Sequence, residues 1–200
     1  HNGQIYAATR GQGVFVSGNL GATWQSFNQG LVGGVNNSQL FVMDLLLRGD
    51  TLYAATDGAG PFIRNLATPG TWSHYGNAIN LGQAGNMESI GASPTRLIAC
   101  GGGNGDVWYR DAGDADWTES LLFNDHLAAG LAPLAAVWTG SSWLVASNIG
   151  VFHGASGQSP WTYFAFGLHP TFFASFALRD RVVFTHFANP EGTGIEYSSD

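Results

Sequence analysis

The apolar positions of this chain fall in short runs separated by turn residues. Residues 4–9, 51–56, 96–101, 143–148 and 181–186 form one set, rich in aliphatic and aromatic side chains. Each is followed by a glycine-containing turn and a second short run, at residues 13–16, 60–63, 106–109, 150–153 and 194–197. Runs of this length bounded by turns are expected to be β-strands. A tryptophan then follows in four copies, Trp24, Trp72, Trp117 and Trp161, spaced by 48, 45 and 44 residues. Another run precedes each later copy, at residues 40–47, 87–92, 134–139 and 172–178, joined to the next by short turns such as Arg48-Gly49-Asp50. Those joints have hairpin length. Residues 127–138 are apolar enough to invite a helix assignment, but Gly130 and Pro133 within them, and their place in the repeat, argue for strand. Almost no helix is expected.

A four-stranded unit recurring at this interval is the sequence signature of a β-propeller blade. The chain is therefore expected to be all-β, a single propeller domain or segment of four-stranded antiparallel blades. The units fall near residues 1–30, 31–77, 78–123, 124–166 and 167–200. The first holds strands two to four and the last strands one to three. That makes eighteen strands in about five blades, two of them incomplete. Because native proteins avoid open sheet edges, the expectation is a larger ring, completed by further sequence or by another chain.

The stretch Ser17-Gly18-Asn19-Leu20-Gly21-Ala22-Thr23-Trp24 resembles the Asp box of the bacterial-neuraminidase repeat, with Asn19 at the Asp position. The resemblance extends to sialidase-like, xyloglucanase-like and sortilin-type propellers, so it implies architecture more than activity. It places the box at the hairpin between the third and fourth strands of a blade. Ser17, Asn19, Gly21, Thr23 and Trp24 are then structural residues. The hydroxyl and amide satisfy turn backbone groups, while the indole packs between sheets, which is worth about 2–3 kcal/mol. Later copies keep Trp72, Trp117 and Trp161 and lose most of the rest. A half-copy recurs at Ser198-Ser199-Asp200.

Composition narrows the function classes. Charged residues make up 10% of the chain, and the net charge is −7, with seven arginines and no lysine. No basic stripe is present to displace counterions, so nucleic acid is not an expected partner, and neither is an anionic membrane surface. No apolar run approaches the ~20 residues that span a bilayer. Cys100, the single cysteine, sits in an apolar run and is expected to be a small buried core residue. No cofactor is implied. An extracellular or cell-surface location follows from the resemblance alone, with any export signal expected upstream of His1.

In propellers the loops between strands two and three share one face with the loops between blades. On that rule the ligand-face candidates are Arg10, Gln12, Asp57, Asn104, Asn148, Asn189 and Glu191 from the first kind of loop. The second kind adds Asn28, Asn36, Asn37, Asn77, Asn80, Asn124, Asp125, His126 and His169. Asparagine, carboxylate and aromatic groups suit sugar hydroxyls, yet Asn and Asp are also ordinary tight-turn residues.

Under a hydrolase alternative Asp57 matches the catalytic position of the xyloglucanase-type propellers. Glycoside hydrolysis needs two facing carboxylates, and in those enzymes the second comes from another propeller. A sialidase-like fragment has only Glu196-Tyr197 in its favour, without an Arg-Ile-Pro motif. His126, His169 and His186 share a face but lack the tight spacing of a metal site, and no Gly-x-Ser-x-Gly marks a nucleophile. Trp143 stands where Gln4, Thr51, Arg96 and Arg181 stand in the other copies. It is either a surface platform or a cover for a neighbouring strand. The sequence favours a non-catalytic binding or scaffold module that contacts glycan or protein through the loop face. A glycoside hydrolase fragment is the competing class.

Overall fold

The computed structural model describes residues 1–32, 35–76, 86–101, 106–122, 131–164, 173–178, 182–189 and 192–197. The chain divides into two compact units, His1–Ile90 with Ala115–Trp117 and Gly91–Asp114 with Thr118–Asp200. The described strands number eighteen. They form five antiparallel meanders in which each strand pairs with its neighbour in sequence.

The first sheet has three strands, β1 (Ile5–Thr9), β2 (Gly13–Ser17) and β3 (Gln25–Ser26). The second has four, β4 (Val42–Arg48), β5 (Thr51–Thr56), β6 (Gly60–Asn65) and β7 (Ser73–His74). The third comprises β8 (Met87–Ala92), β9 (Arg96–Gly101), β10 (Asp106–Asp111) and β11 (Thr118–Leu121). The fourth comprises β12 (Pro133–Trp138), β13 (Trp143–Ser147), β14 (Gly150–Gly154) and β15 (Thr162–Phe164). The last has three strands, β16 (Phe173–Leu178), β17 (Val182–Asn189) and β18 (Gly192–Tyr197). The only described helix is a 3-10 segment at Val35–Leu40, which moves the start of β4 two residues beyond the expected one. Asn36 and Asn37 adopt left-handed conformations there, φ 53° and 61°. That is turn chemistry, which asparagine tolerates better than most residues.

The repeat shows in register as well as in order. The first strand of the second, fourth and fifth sheets slips at the same place, at Val42/Asp44, Pro133/Ala135 and Phe173/Ser175. In the His1–Ile90 unit the slip carries a half-buried carboxylate. Asp44 Oδ1 accepts the amide of Leu45 at 2.8 Å, and Oδ2 accepts that of Ile90 at 3.0 Å. Burial still holds this carboxyl above the usual range, opposed by the bonds from Ile90, Ser89 and Leu45.

Within that unit the tryptophans join successive sheets. Trp72 is 2% exposed, and its Nε1–H donates to the carbonyl of Phe27 at 2.7 Å. The Phe27 ring meets it edge-on, 6.4 Å between centroids, while the Arg64 guanidinium lies 3.5 Å over Phe27. Trp117, 4% exposed, repeats the joint: Nε1–H donates to the carbonyl of Tyr75 at 2.5 Å, with the rings edge-to-face. Gly76 follows at φ 108°, and a Cβ there would stand 2.6 Å from Trp117, so only glycine lets the chain leave the strand against the indole. In the second unit Trp161 Nε1–H donates to the hydroxyl of Ser120 at 3.1 Å. Phe27, Tyr75 and Ser120 each stand three residues after a repeat tryptophan, so the acceptor recurs with the repeat.

One expectation needs correction, and one open alternative is decided. Trp24 is not a buried wedge: it is 42% exposed, and among the described residues nothing covers it as the first sheet covers Trp72. Trp143 is no surface platform. It is 1% exposed, paired across the hairpin with Trp138 at 5.5 Å and packed with Ile98, Val145 and Phe152. A long aromatic at the strand start folds back over the sheet, which is the covering role. Cys100 is buried, as expected of a core residue.

Candidate functional site

The loops between second and third strands are closed by one device. A hydroxyl at the end of the second strand donates to a glycine carbonyl at the start of the third. The pairs are Thr9 to Gly13 at 2.7 Å, Thr56 to Gly60 at 2.6 Å and Ser147 to Gly150 at 2.9 Å. The residue after each hydroxyl is held against the start of a first strand. Arg10 bridges Phe41, and Asp57 bridges Asn86 while its amide donates to the Phe41 carbonyl at 2.9 Å. Asn148 donates its amide to the Ala132 carbonyl at 3.1 Å and accepts the Ala132 amide on Oδ1 at 2.8 Å. One backbone position therefore carries a cation, an anion and an amide in three copies. Arg10 is exposed, whereas Asp57 and Asn148 are half-buried.

Asn28 shows how an asparagine of this face is used. Its Oδ1 accepts the Val14 amide at 2.7 Å and its Nδ2 donates to the Gln12 carbonyl at 2.7 Å, clamping the loop that bears Arg10. Like Asn148, it serves the turn.

Within the His1–Ile90 unit, Arg10 and Asp57 both act on the charge of a residue that no sequence pattern marks. Glu88, on β8 two residues beyond Asn86, is half-buried. Burial raises its carboxyl above the usual range, the charge of Asp57 raises it further, and Arg10 pulls it back. Counted from the bridge partners Phe41 and Asn86, Glu88 takes the position of Met43 in the preceding sheet. The legible signal was an acid where the sibling strand has an apolar residue. Arg10, Asp57 and Glu88 are thus linked electrostatically beside a tight turn. Next to it Ser38 Oγ is buried without a hydrogen-bond partner, and a Cβ on Gly58 would meet it at 3.2 Å.

Asn104, Asn124, Asp125, His126, His169 and Glu191 lie outside the described residues. Among the described residues no group of three or more His, Cys, Asp or Glu could hold a metal ion. No described helix is long and apolar enough to cross a membrane.

The Ser17–Trp24 hairpin is held by a dense polar network. Ser17 Oγ donates to Asn19 Oδ1 at 2.9 Å and accepts the amides of Gly21 at 2.9 Å and Asn19 at 3.3 Å. Asn19 Oδ1 accepts the Thr23 amide at 2.9 Å, and Nδ2 donates to Thr23 Oγ1 at 2.8 Å. The side chains of Ser17, Asn19 and Thr23 are all engaged within the turn.

No protein-family model matches the chain, and no curated protein matches its sequence. Solved structures do resemble it. An ancestral GH74 enzyme superposes with a TM-score of 0.71 at 17% identity, over 93% of this chain and 26% of that one. YCF48 bound to D1 peptide gives 0.67 at 16% identity, over 100% of this chain and 63% of that one. The extracellular domain of a putative one-component system from B. thetaiotaomicron gives 0.70 at 14% identity, over 98% of this chain and 26% of that one. The chain thus spans less than two thirds of each of these three. At such identities the likeness speaks for the fold alone. Together with five antiparallel meanders and a repeated joint between sheets, it makes this chain an all-β protein of the β-propeller class.

Proposed function

We propose that the chain is a non-catalytic binding or scaffold segment of an exported or surface β-propeller, contacting a glycan or a protein through its strand-two-to-three loops. The observation that carries this is the single backbone position occupied by Arg10, Asp57 and Asn148. A fixed turn geometry with changing chemistry is how a rigid scaffold presents a recognition surface. The neighbours support it coarsely, since one is described with a bound peptide and another as an extracellular domain. The Asp-box resemblance and completion of the ring by further blades belong to the same proposal.

A second reading rests on Glu88. Glycoside hydrolysis pairs a carboxyl held protonated with an ionised partner. On that reading Glu88, whose carboxyl is raised by burial and by Asp57, is the candidate acid, and Asp57 is the candidate second carboxyl. Screening the protein on glycan, polysaccharide and peptide arrays, in parallel with turnover assays, separates the two. Binding without turnover, weakened by Arg10→Ala or Asp57→Asn, is the expected result. Turnover that disappears in Asp57→Asn and in Glu88→Gln would establish the hydrolase instead.

A further inference from the structure

The first two sheets carry the same residues at equivalent positions and differ in what covers them. On the second sheet Leu52, Ala54, Phe62 and Trp72 share one face, as the strand registers place them, and are 2%, 0%, 0% and 2% exposed. Their counterparts on the first sheet are Ile5, Ala7, Phe15 and Trp24, also on one face, since Ala7 opposes Phe15 and Phe15 opposes Ser26. That face is open: Ile5 is 41% and Trp24 42% exposed, and Ala7 and Phe15 are half-buried. Trp24 Nε1–H has no hydrogen-bond partner among the described residues, whereas Trp72 and Trp117 each donate to a backbone carbonyl.

What covers such a face is visible one sheet further on. The opposite side of the first sheet presents Tyr6, Ala8 and Val14, with Phe27 just beyond β3, and these pack on Leu52, Ala54, Phe62 and Trp72. Phe27 supplies the carbonyl, and Gly30, at φ 95°, lets the chain pass the Trp72 backbone, where a Cβ would collide. We propose that the Ile5–Ala7–Phe15–Trp24 face is a docking surface for one more β-blade of this repeat. That blade presents small and β-branched residues from its middle strands and a carbonyl acceptor three residues beyond its own repeat tryptophan. The inference rests on the reading that further blades complete the ring, and it names the joint they use. It is independent of any ligand on the loop face, so loss of glycan or peptide binding would leave it standing.

Two measurements test it. In the 200-residue chain, Trp24→Ser leaves the thermal midpoint within about 1 °C, as a surface change does. A drop of several degrees would show that the indole is already engaged, and overturns the proposal. In an extended protein, residues 31–95 are repeated ahead of Gln4, so that a second copy of β8 pairs with β1 and a full blade faces Trp24. There the Trp24 indole N–H, identified by its absence in Trp24→Phe, exchanges with solvent about tenfold more slowly, in line with a new hydrogen bond and burial. An extension that stays unfolded, or folds without protecting that proton, overturns it. So does concentration-dependent protection in the unextended chain, which would make a second copy the occupant.

Discussion

The Ser17–Trp24 hairpin and the hairpins that end in Trp72 and Trp117 are opposites. The first has the complete polar network, with Ser17, Asn19 and Thr23 bonded to one another and to the turn amides, yet its indole is 42% exposed. The second keeps a single side-chain bond, from the Ala67 amide to Asn65 Oδ1 at 2.8 Å, and its Trp72 is 2% exposed. The third uses Asp114 Oδ2 to accept the Asp111 amide at 3.0 Å, and Trp117 is 4% exposed. Turn chemistry and burial are therefore separable. The polar network fixes the path of one hairpin by itself, whereas the tryptophan stabilises only when another sheet supplies its cover. This explains why the later copies tolerate loss of the polar residues and keep the indole.

The sharpest way to break this comparison is to remove the indoles. Trp72→Ala deletes a buried aromatic and leaves the Phe27 carbonyl with only the longer bond from Arg64 Nη1, and the expected loss is about 3–5 kcal/mol in urea unfolding. Trp24→Ala is expected to cost less than about 1 kcal/mol. Equal losses would mean that the exposed indole is doing the same task, and the contrast would fail. The polar networks give the converse experiment at smaller scale. Asn19→Ala removes three hydrogen bonds from the first hairpin and should cost about 1–2 kcal/mol, against about 0.5–1 kcal/mol for Asn65→Ala. Asn19→Asp keeps the acceptor for the Thr23 amide, and the Thr23 hydroxyl can turn to donate, so its effect should be the smallest of the three.

The strands were legible because each sheet repeats a period of two between glycine turns, and that pattern is local. Even the start of β8 and the count of strands came from spacing alone. What was hidden depends on neighbours. Nothing in the residues around Trp24 foretells that it is exposed while Trp72 is buried, since exposure is decided by whether a second sheet is there. Trp143 stayed open between surface and cover because its siblings are Gln4, Thr51, Arg96 and Arg181, and its burial against Trp138 decides for cover. Of the candidate site, the sequence supplied Arg10 and Asp57 from their place after the second strand. It missed Glu88 because a strand position was searched for pattern and not for a departure from it. Asp44 was missed for the same reason, lying in the register slip where a carboxylate can reach two amides.

One carboxylate in each unit responds to pH in the opposite sense. Asp111, in the second unit, is bonded by Arg96 Nε and Nη2 at 2.6 Å each, and that pairing holds its carboxyl below the usual range. Its contribution is present above the ordinary carboxylate range and is lost as pH falls through the lowered value. The gap in stability between wild type and Asp111→Asn should thus close toward acid. Because Asp111 is largely exposed, that gap is small and shrinks with salt. Asp44 behaves oppositely. Its raised carboxyl gives stability that is full below the ordinary carboxylate range and is lost as pH rises through the raised value. Wild type and Asp44→Asn should therefore converge, or cross, on the alkaline side of that window.

Glu88 offers the finest discrimination, because three causes act on it in a fixed order. Burial comes first, then Asp57, with Arg10 opposing both. Asp57→Asn removes only the second cause, so the Glu88 carboxyl should titrate at lower pH than in wild type while remaining above an ordinary glutamate. Arg10→Gln removes the opposing cation and should move the titration upward. Carboxyl chemical shifts followed through a pH series read both directions directly, without requiring a substrate. A Glu88 titration indifferent to both changes would dissolve the cluster. Arg10 and Asp57 would then be separate loop residues like Asn148, and the hydrolase alternative would lose its second carboxylate. Opposite shifts would show instead that two loops and one strand of this unit share a single electrostatic site. Whether that site binds or catalyses then turns on the response of turnover, if any, to Glu88→Gln.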